Sequence, residues 1–207
     1  MAGTPTQEHA MPDLRISLAA LCVALALLTG CGTVKNTIAD GDDQALMLRG
    51  NDPVAYFTEG KALKGSPAIK AVHDGVTYRF ASDANKARFV ADPKRYEPQY
   101  AGFCASGAPY ALKANIGADT FAVVDGKLYL YGGPRSRRNW MLDYVDHIRT
   151  GDVYWETETR EVPYRLQNAK RYTFKVDGYK TDAELDALYA QRKAAGTLNP
   201  LAARYGL

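Results

Sequence analysis

Cysteine is scarce in this 207-residue chain, limited to Cys22, Cys31 and Cys104. Histidine is as scarce, at His9, His73 and His147. Zinc sites usually space their donors two to five residues apart, and no two of these six residues come that close. That excludes the zinc-finger class. Charge of one sign is also missing: 26 Lys and Arg stand against 23 Asp and Glu, a net +3. Nucleic-acid binders concentrate basic residues in a stripe, so nucleic acid is not an expected partner. No internal repeat or low-complexity tract is present, which excludes solenoid architectures. Long hydrophobic runs are lacking too. The most apolar stretch, Ile16 to Leu28, falls short of the roughly 20 residues that span a bilayer.

That stretch has the length of a signal-peptide core, and Arg15 supplies its basic start. Glu8 and His9 are unusual in such a start, so translation is expected to begin at Met11. The string "LLTGCGT" that follows resembles the lipobox of bacterial lipoproteins, whose cysteine is lipidated and becomes the first residue after cleavage. The resemblance implies residues 1–30 as signal peptide, lipid attachment at Cys31, and residues 31–45 as a polar lipidated tether. An uncleaved anchor or an ordinary signal peptide is the alternative. Cleavage would remove Cys22 and leave Cys104 as the one free thiol, with no internal disulfide to form. Cys104 is then a buried small hydrophobe, a reactive thiol, a metal ligand or an intermolecular crosslink. Its small neighbours Gly102, Ala105, Ser106 and Gly107 favour burial.

Hydrophobic residues make up 46% of the chain, enough for one globular core. Three Asp-Gly pairs lie beside β-prone runs: Asp74-Gly75, Asp125-Gly126 and Asp177-Gly178. Each predicts a hairpin, because both turn residues must tolerate a left-handed backbone. Ser82 is placed to cap a short helix over residues 83–91, with Phe89 and Val90 inward, that Pro93 stops. Trp140, Tyr144 and Ile148 recur every four residues and predict one amphipathic helix closed by Gly151. Thr181 and Glu184 form a capping box for a helix ending at Gly196. Antiparallel hairpins packed with separate short helices predict an α+β fold.

The ordered strings "GNDPVAYF", "YRFAS", "FVADPKRY", "GFCA" and "DGKLYLY" resemble the YHS domain family, in its bacterial lipoprotein-like branch. The resemblance spans residues 46–155 and leaves 156–207 as a C-terminal extension, expected to be α+β with its own capped helix. The residues of these motifs read as structural: Tyr56, Phe57, Tyr78 and Phe80 would put aromatics on adjoining strands, where cross-strand pairs stabilise a sheet. Metal-associated members of the family are thought to bind metal through cysteines, but the corresponding positions here are Ala55, Ala81 and Asn85. Soft metals need thiolate or imidazole donors, so the resemblance supports the fold and not the metal.

Four candidate chemistries remain. Cys104, His73 and His147 are the donors available for copper or zinc, although their spacing matches no ligand motif. Cys104 as a nucleophile would need a neighbouring base. Arg135, Arg137 and Arg138 beside a helix start could take an anion, or form a solvated turn. Tyr100, Phe103, Tyr110, Tyr129 and Tyr131 could line a pocket for a small organic ligand, or make core. The expectation is a lipid-anchored envelope protein, facing the periplasm or the exterior. Its YHS-like domain is expected to be a non-catalytic binding or accessory module with no cofactor, partnered by the membrane through its lipid and by a small ligand or protein. The alternatives are a metal-handling lipoprotein and a thiol-dependent enzyme.

Overall fold

The structure is a computed structural model and describes residues 33–206; the expected signal peptide and Cys31 lie outside the described residues. From Thr33 onward the chain forms one compact unit.

Two sheets carry the fold. The first has four strands in the order β1-β2-β4-β3, from β1 (Ile38–Asp40), β2 (Asp43–Leu46), β3 (Ser66–His73) and β4 (Val76–Phe80). The second is the hairpin of β5 (Gly117–Val124) and β6 (Lys127–Tyr131). Asp74-Gly75 and Asp125-Gly126 both turn through left-handed backbone, with φ of 49° and 73° and of 49° and 72°. That twist matches the flanking strands, so two of the predicted hairpins form as read. Asp177-Gly178 makes no hairpin. Its would-be first arm winds into a helix, and Phe174 stays 69% exposed with no strand beside it. The regular elements of the described extension are therefore helices joined by irregular segments, within a fold that is α+β as a whole.

Helices fill the gaps between the sheets. A short α1 (Ala55–Thr58) carries Tyr56 and Phe57, which were expected on a strand. Val54 lies directly after a proline and an Asp52 carboxylate that accepts its N–H at 2.8 Å, and this bond starts a helical turn instead. Ser82 caps α2 (Asp83–Ala91) by accepting from the Asn85 N–H. Pro93 then opens α3 (Pro93–Tyr96), and Tyr96 packs edge-on against Phe57.

The predicted helix around Trp140 is two, α4 (Pro134–Met141) and α5 (Tyr144–Tyr154), broken at Asp143. Gly151 does not close it. The helix runs through Gly151 and into a π-turn at Trp155–Thr159. Gly151 is required by closeness: a Cβ there would stand 2.9 Å from the Tyr100 hydroxyl and 3.0 Å from the Ala108 Cβ.

The expected tether is folded as well. Asp40 and Asp43 both bind Arg79, which fixes β1 and β2 to β4. Asp43 is 4% exposed, and the Lys70 ammonium, then the Arg79 guanidinium, hold its carboxyl below the usual carboxylate range.

Beyond the π-turn come α6 (Tyr164–Thr173), α7 (Asp182–Ala194) with both bonds of the Thr181–Glu184 capping box, and α8 (Pro200–Arg204). This extension is tied to the rest at several points. Gln167 donates to the Ala111 carbonyl, Asn168 pairs with both backbone groups of Lys113, and Arg192 binds Asp143. The three arginines expected near an anion site serve the same docking. Arg135 and Arg138 bind Asp186 of α7, and Arg137 lies over the Tyr205 ring.

Candidate functional site

A cleft of about 660 Å³ opens between the start of the described chain, the β3–β4 turn, residues 94–101 and the end of α5. Its floor is a strained turn. Tyr100, Ala101 and Gly102 are consecutive left-handed residues, with φ of 54°, 48° and 78°. Only glycine adopts that backbone without cost; each other residue gives up about 1–2 kcal/mol. The turn is held from outside: Asn36 donates its backbone N–H to Ala101 and its amide to the Gly102 carbonyl. A second left-handed run, Leu48 to Gly50, lies in the next layer. The two meet through Met47, whose sulfur would be 2.8 Å from any Cβ at residue 102. Strain of this kind persists only where its surroundings over-determine it, and such spots cluster at functional sites.

Tyr78, Tyr100 and Trp155 wall the cleft. The Tyr100 hydroxyl donates to Asp152 at 3.0 Å, and burial together with that carboxylate pushes its pKa far up. Tyr100 is thus a fixed neutral wall, 5.7 Å ring to ring from Trp155. The rim carries both signs of charge. Lys35 pairs with Asp74 and His73 faces Glu97 at 3.3 Å, while Lys94 and Lys127 add cations and Glu161 an anion. Such a site can seat a small ligand of mixed charge against aromatic faces.

Pro98 and Cys104 form bridges to Leu128 and Leu130 of β6, so the strained turn hangs between two anchored points. This run closes the layered segment that begins at Val54. Residues 54–100 match the model of the YHS domain. The matched segment contains α1, the β3–β4 hairpin, α2, α3 and the cleft residue Tyr100. The match is shorter than the 46–155 span of the resemblance and covers less than half of the chain. No curated protein and no solved structure matches the chain.

Ala81 and Asn85, two positions the resemblance associates with cysteine, surround a different feature. The buried Asp52 carboxylate accepts the Ala81 N–H at 2.8 Å and the Asn85 amide at 2.7 Å, besides the Val54 N–H next to Ala55. Three donors satisfy one carboxylate where thiolates would stand.

The three proposed metal donors are not brought together. His73 faces Glu97 at the cleft rim, and the His147 Nδ1 bonds the Trp140 carbonyl at 2.7 Å on the far side of α5. Burial lowers the His147 pKa, keeping the ring neutral. Cys104 is 2% exposed, its Sγ 3.0 Å from the Ser106 hydroxyl and accepting the Gly132 N–H at 3.2 Å. Among the described residues no group of three or more His, Cys, Asp or Glu side chains could hold a metal ion. Nor does an imidazole reach Cys104 as a base. Of the aromatic candidates, Tyr100 reaches the cleft and Tyr110 a smaller cavity, while Phe103, Tyr129 and Tyr131 are core.

Cys104→Ala is expected to cost about 1 kcal/mol, the typical size of a modest core truncation. Reagent labelling of Cys104 in the folded protein should be far slower than in the denatured chain, and copper and zinc content should not change on substitution. Rapid labelling, or stoichiometric metal lost with the thiol, would establish Cys104 as a working residue.

The sequence reading missed Asp152, Trp155 and Lys113. Trp155 carried a signal: it lies seven residues after Ile148, on the same helical face as Tyr144 and Ile148, and all three pack against the core.

Proposed function

We propose that this protein is a lipid-anchored accessory module of the cell envelope, one that captures a small ligand of mixed charge and does no chemistry on it. The observation that carries the reading is the aromatic cleft built on the strained turn at Tyr100, within reach of cations and anions alike. Concave sites with aromatic walls and a few placed polar groups are the usual form of small-molecule sites. The reading of the anchor rests on the "LLTGC" string, and Cys31 is its attachment point. A metal-handling role would need donors that are here turned to other partners.

Trp155 reports on the cleft directly. Titration with zwitterionic probes (free amino acids, then dipeptides) should give a saturable change in its fluorescence. Trp155→Phe should abolish the signal, and Lys127→Met should weaken the binding. Flat titrations across these probes into the millimolar range would remove the reading.

A further inference from the structure

Helix α6 is inside out for a helix in water. Its buried face is polar: Gln167 is fully buried and Asn168 is 7% exposed, both bonded to the backbone of residues 111–113. Tyr164 at its first turn stacks on Phe103, but the apolar residues that follow face away, with Leu166 58%, Tyr172 66% and, just past its end, Phe174 69% exposed. Basic residues surround them. Between Val162 and Val176 the chain carries Arg165, Lys170, Arg171 and Lys175 and no acidic residue. Glu158, from the π-turn, binds Lys170 and Arg171, while Arg165 and Lys175 make no ion pair among the described residues. Aromatic and apolar groups set in a basic field suit a bilayer interface with anionic headgroups.

The path of the chain points to the same surface. The Tyr164 N–H, at the first turn of α6, donates to the Thr33 carbonyl at 3.1 Å. Only Gly32 lies between Cys31 and Thr33, and two chain steps reach about 7 Å when fully extended. A lipid on Cys31 would therefore enter the bilayer beside the start of α6, a helix about 15 Å long.

We propose that the outward face of α6 rests on an anionic lipid surface and seats the domain against the membrane. The proximity argument relies on the anchor reading, whereas the composition of the face stands without it.

Two preparations separate these claims. The acylated full chain, reconstituted into vesicles containing brominated phosphatidylglycerol, would carry Phe174→Trp or, as control, Val72→Trp on the exposed side of β3. Quenching should be several-fold stronger at position 174 than at position 72. Chain that pellets with vesicles but shows equal quenching at both positions would overturn the α6 proposal while leaving the anchor intact, and would assign the face to a protein partner. Loss of the Cys31→Ser chain from the vesicle pellet supports the anchor and does not bear on α6.

The compact unit from Thr33 onward, which lacks the anchor, tests the face alone. It should bind phosphatidylglycerol vesicles weakly and phosphatidylcholine vesicles less. Affinity should drop roughly fivefold for each basic residue removed, the equivalent of about 1 kcal/mol per charge at an anionic surface. Arg165→Gln and Lys175→Gln are the variants. Binding that ignores both substitutions, or no binding to anionic vesicles, would overturn the proposal whatever the state of Cys31.

Discussion

Lys113→Met is expected to destabilise the protein by about 3 kcal/mol at pH 7, because three backbone carbonyls would lose their donor. Lys113 is 1% exposed, and among the described residues no carboxylate pairs with it. Its ammonium donates to the carbonyls of Val34 at 3.2 Å, Arg160 at 3.0 Å and Val162 at 2.7 Å. It also lies 5.0 Å from the Phe103 ring and 5.2 Å from the Trp155 ring, within cation–π range. One side chain thus clasps the first residues of the described chain, the π-turn and the entry to α6. Methionine keeps the volume and removes the donors, so the effect measured is that of the hydrogen bonds and the charge.

The same lysine shapes the pH profile. Burial lowers its pKa from 10.5 to about 8. Between those values the unfolded chain binds the proton more tightly than the folded one, so stability rises with pH, by at most about 1.4 kcal/mol per pH unit. Before pH 10 the sign reverses. Tyr56, Tyr78, Tyr100, Tyr129 and Tyr131 are all raised by burial, so they ionise in the unfolded chain while still neutral in the fold. Denaturant midpoints should climb from pH 8 toward 9.5 and fall beyond 10. In Lys113→Met the climb should vanish and the fall remain. A wild-type profile flat from 8 to 9.5 would mean that the carbonyls and rings hold the ammonium charged.

Local signals explain what the sequence made legible. Asp74-Gly75, Asp125-Gly126, the Ser82 cap and the Thr181–Glu184 box each depend on neighbours within four residues, and each forms. Asp177-Gly178 has the same turn chemistry but lacks a partner strand, so its first arm joins α6. The polar run at 33–45 looked like a linker because Asp40 and Asp43 are charged. Their partner Arg79 lies 36 to 39 residues away, beyond any local pattern. Among the candidate site residues, Tyr100 was legible as an aromatic beside small residues. Asp152, which fixes its hydroxyl, is 52 residues further on and carries no motif. Lys113 was hidden for the opposite reason: "YALKAN" reads as an ordinary exposed lysine, and only the tertiary fold closes three carbonyls over it.

Asp52→Ala should be the other large loss, about 3–5 kcal/mol, measured by chemical denaturation. Asp52 is fully buried, and its acceptors serve three elements: the Val54 N–H at the start of α1, the Ala81 N–H at the end of β4, and the Asn85 amide of α2. Alanine would leave the Val54 N–H and the Asn85 amide buried without an acceptor, and the part-buried Ala81 N–H without its partner. Asp52→Asn keeps the shape but turns one oxygen into an NH₂ group, which must face either the Val54 N–H or the Ala81–Asn85 pair. It can satisfy one side only, so it should fall between wild type and alanine. Asp52→Ala combined with Asn85→Leu should recover part of the loss, because it removes one orphaned donor and fills the space. Recovery of at least about 1 kcal/mol would fit the net worth of one restored buried group. Strict additivity of the two single losses would show that Asp52 and Asn85 do not act together and that the carboxylate holds α1 and β4 alone.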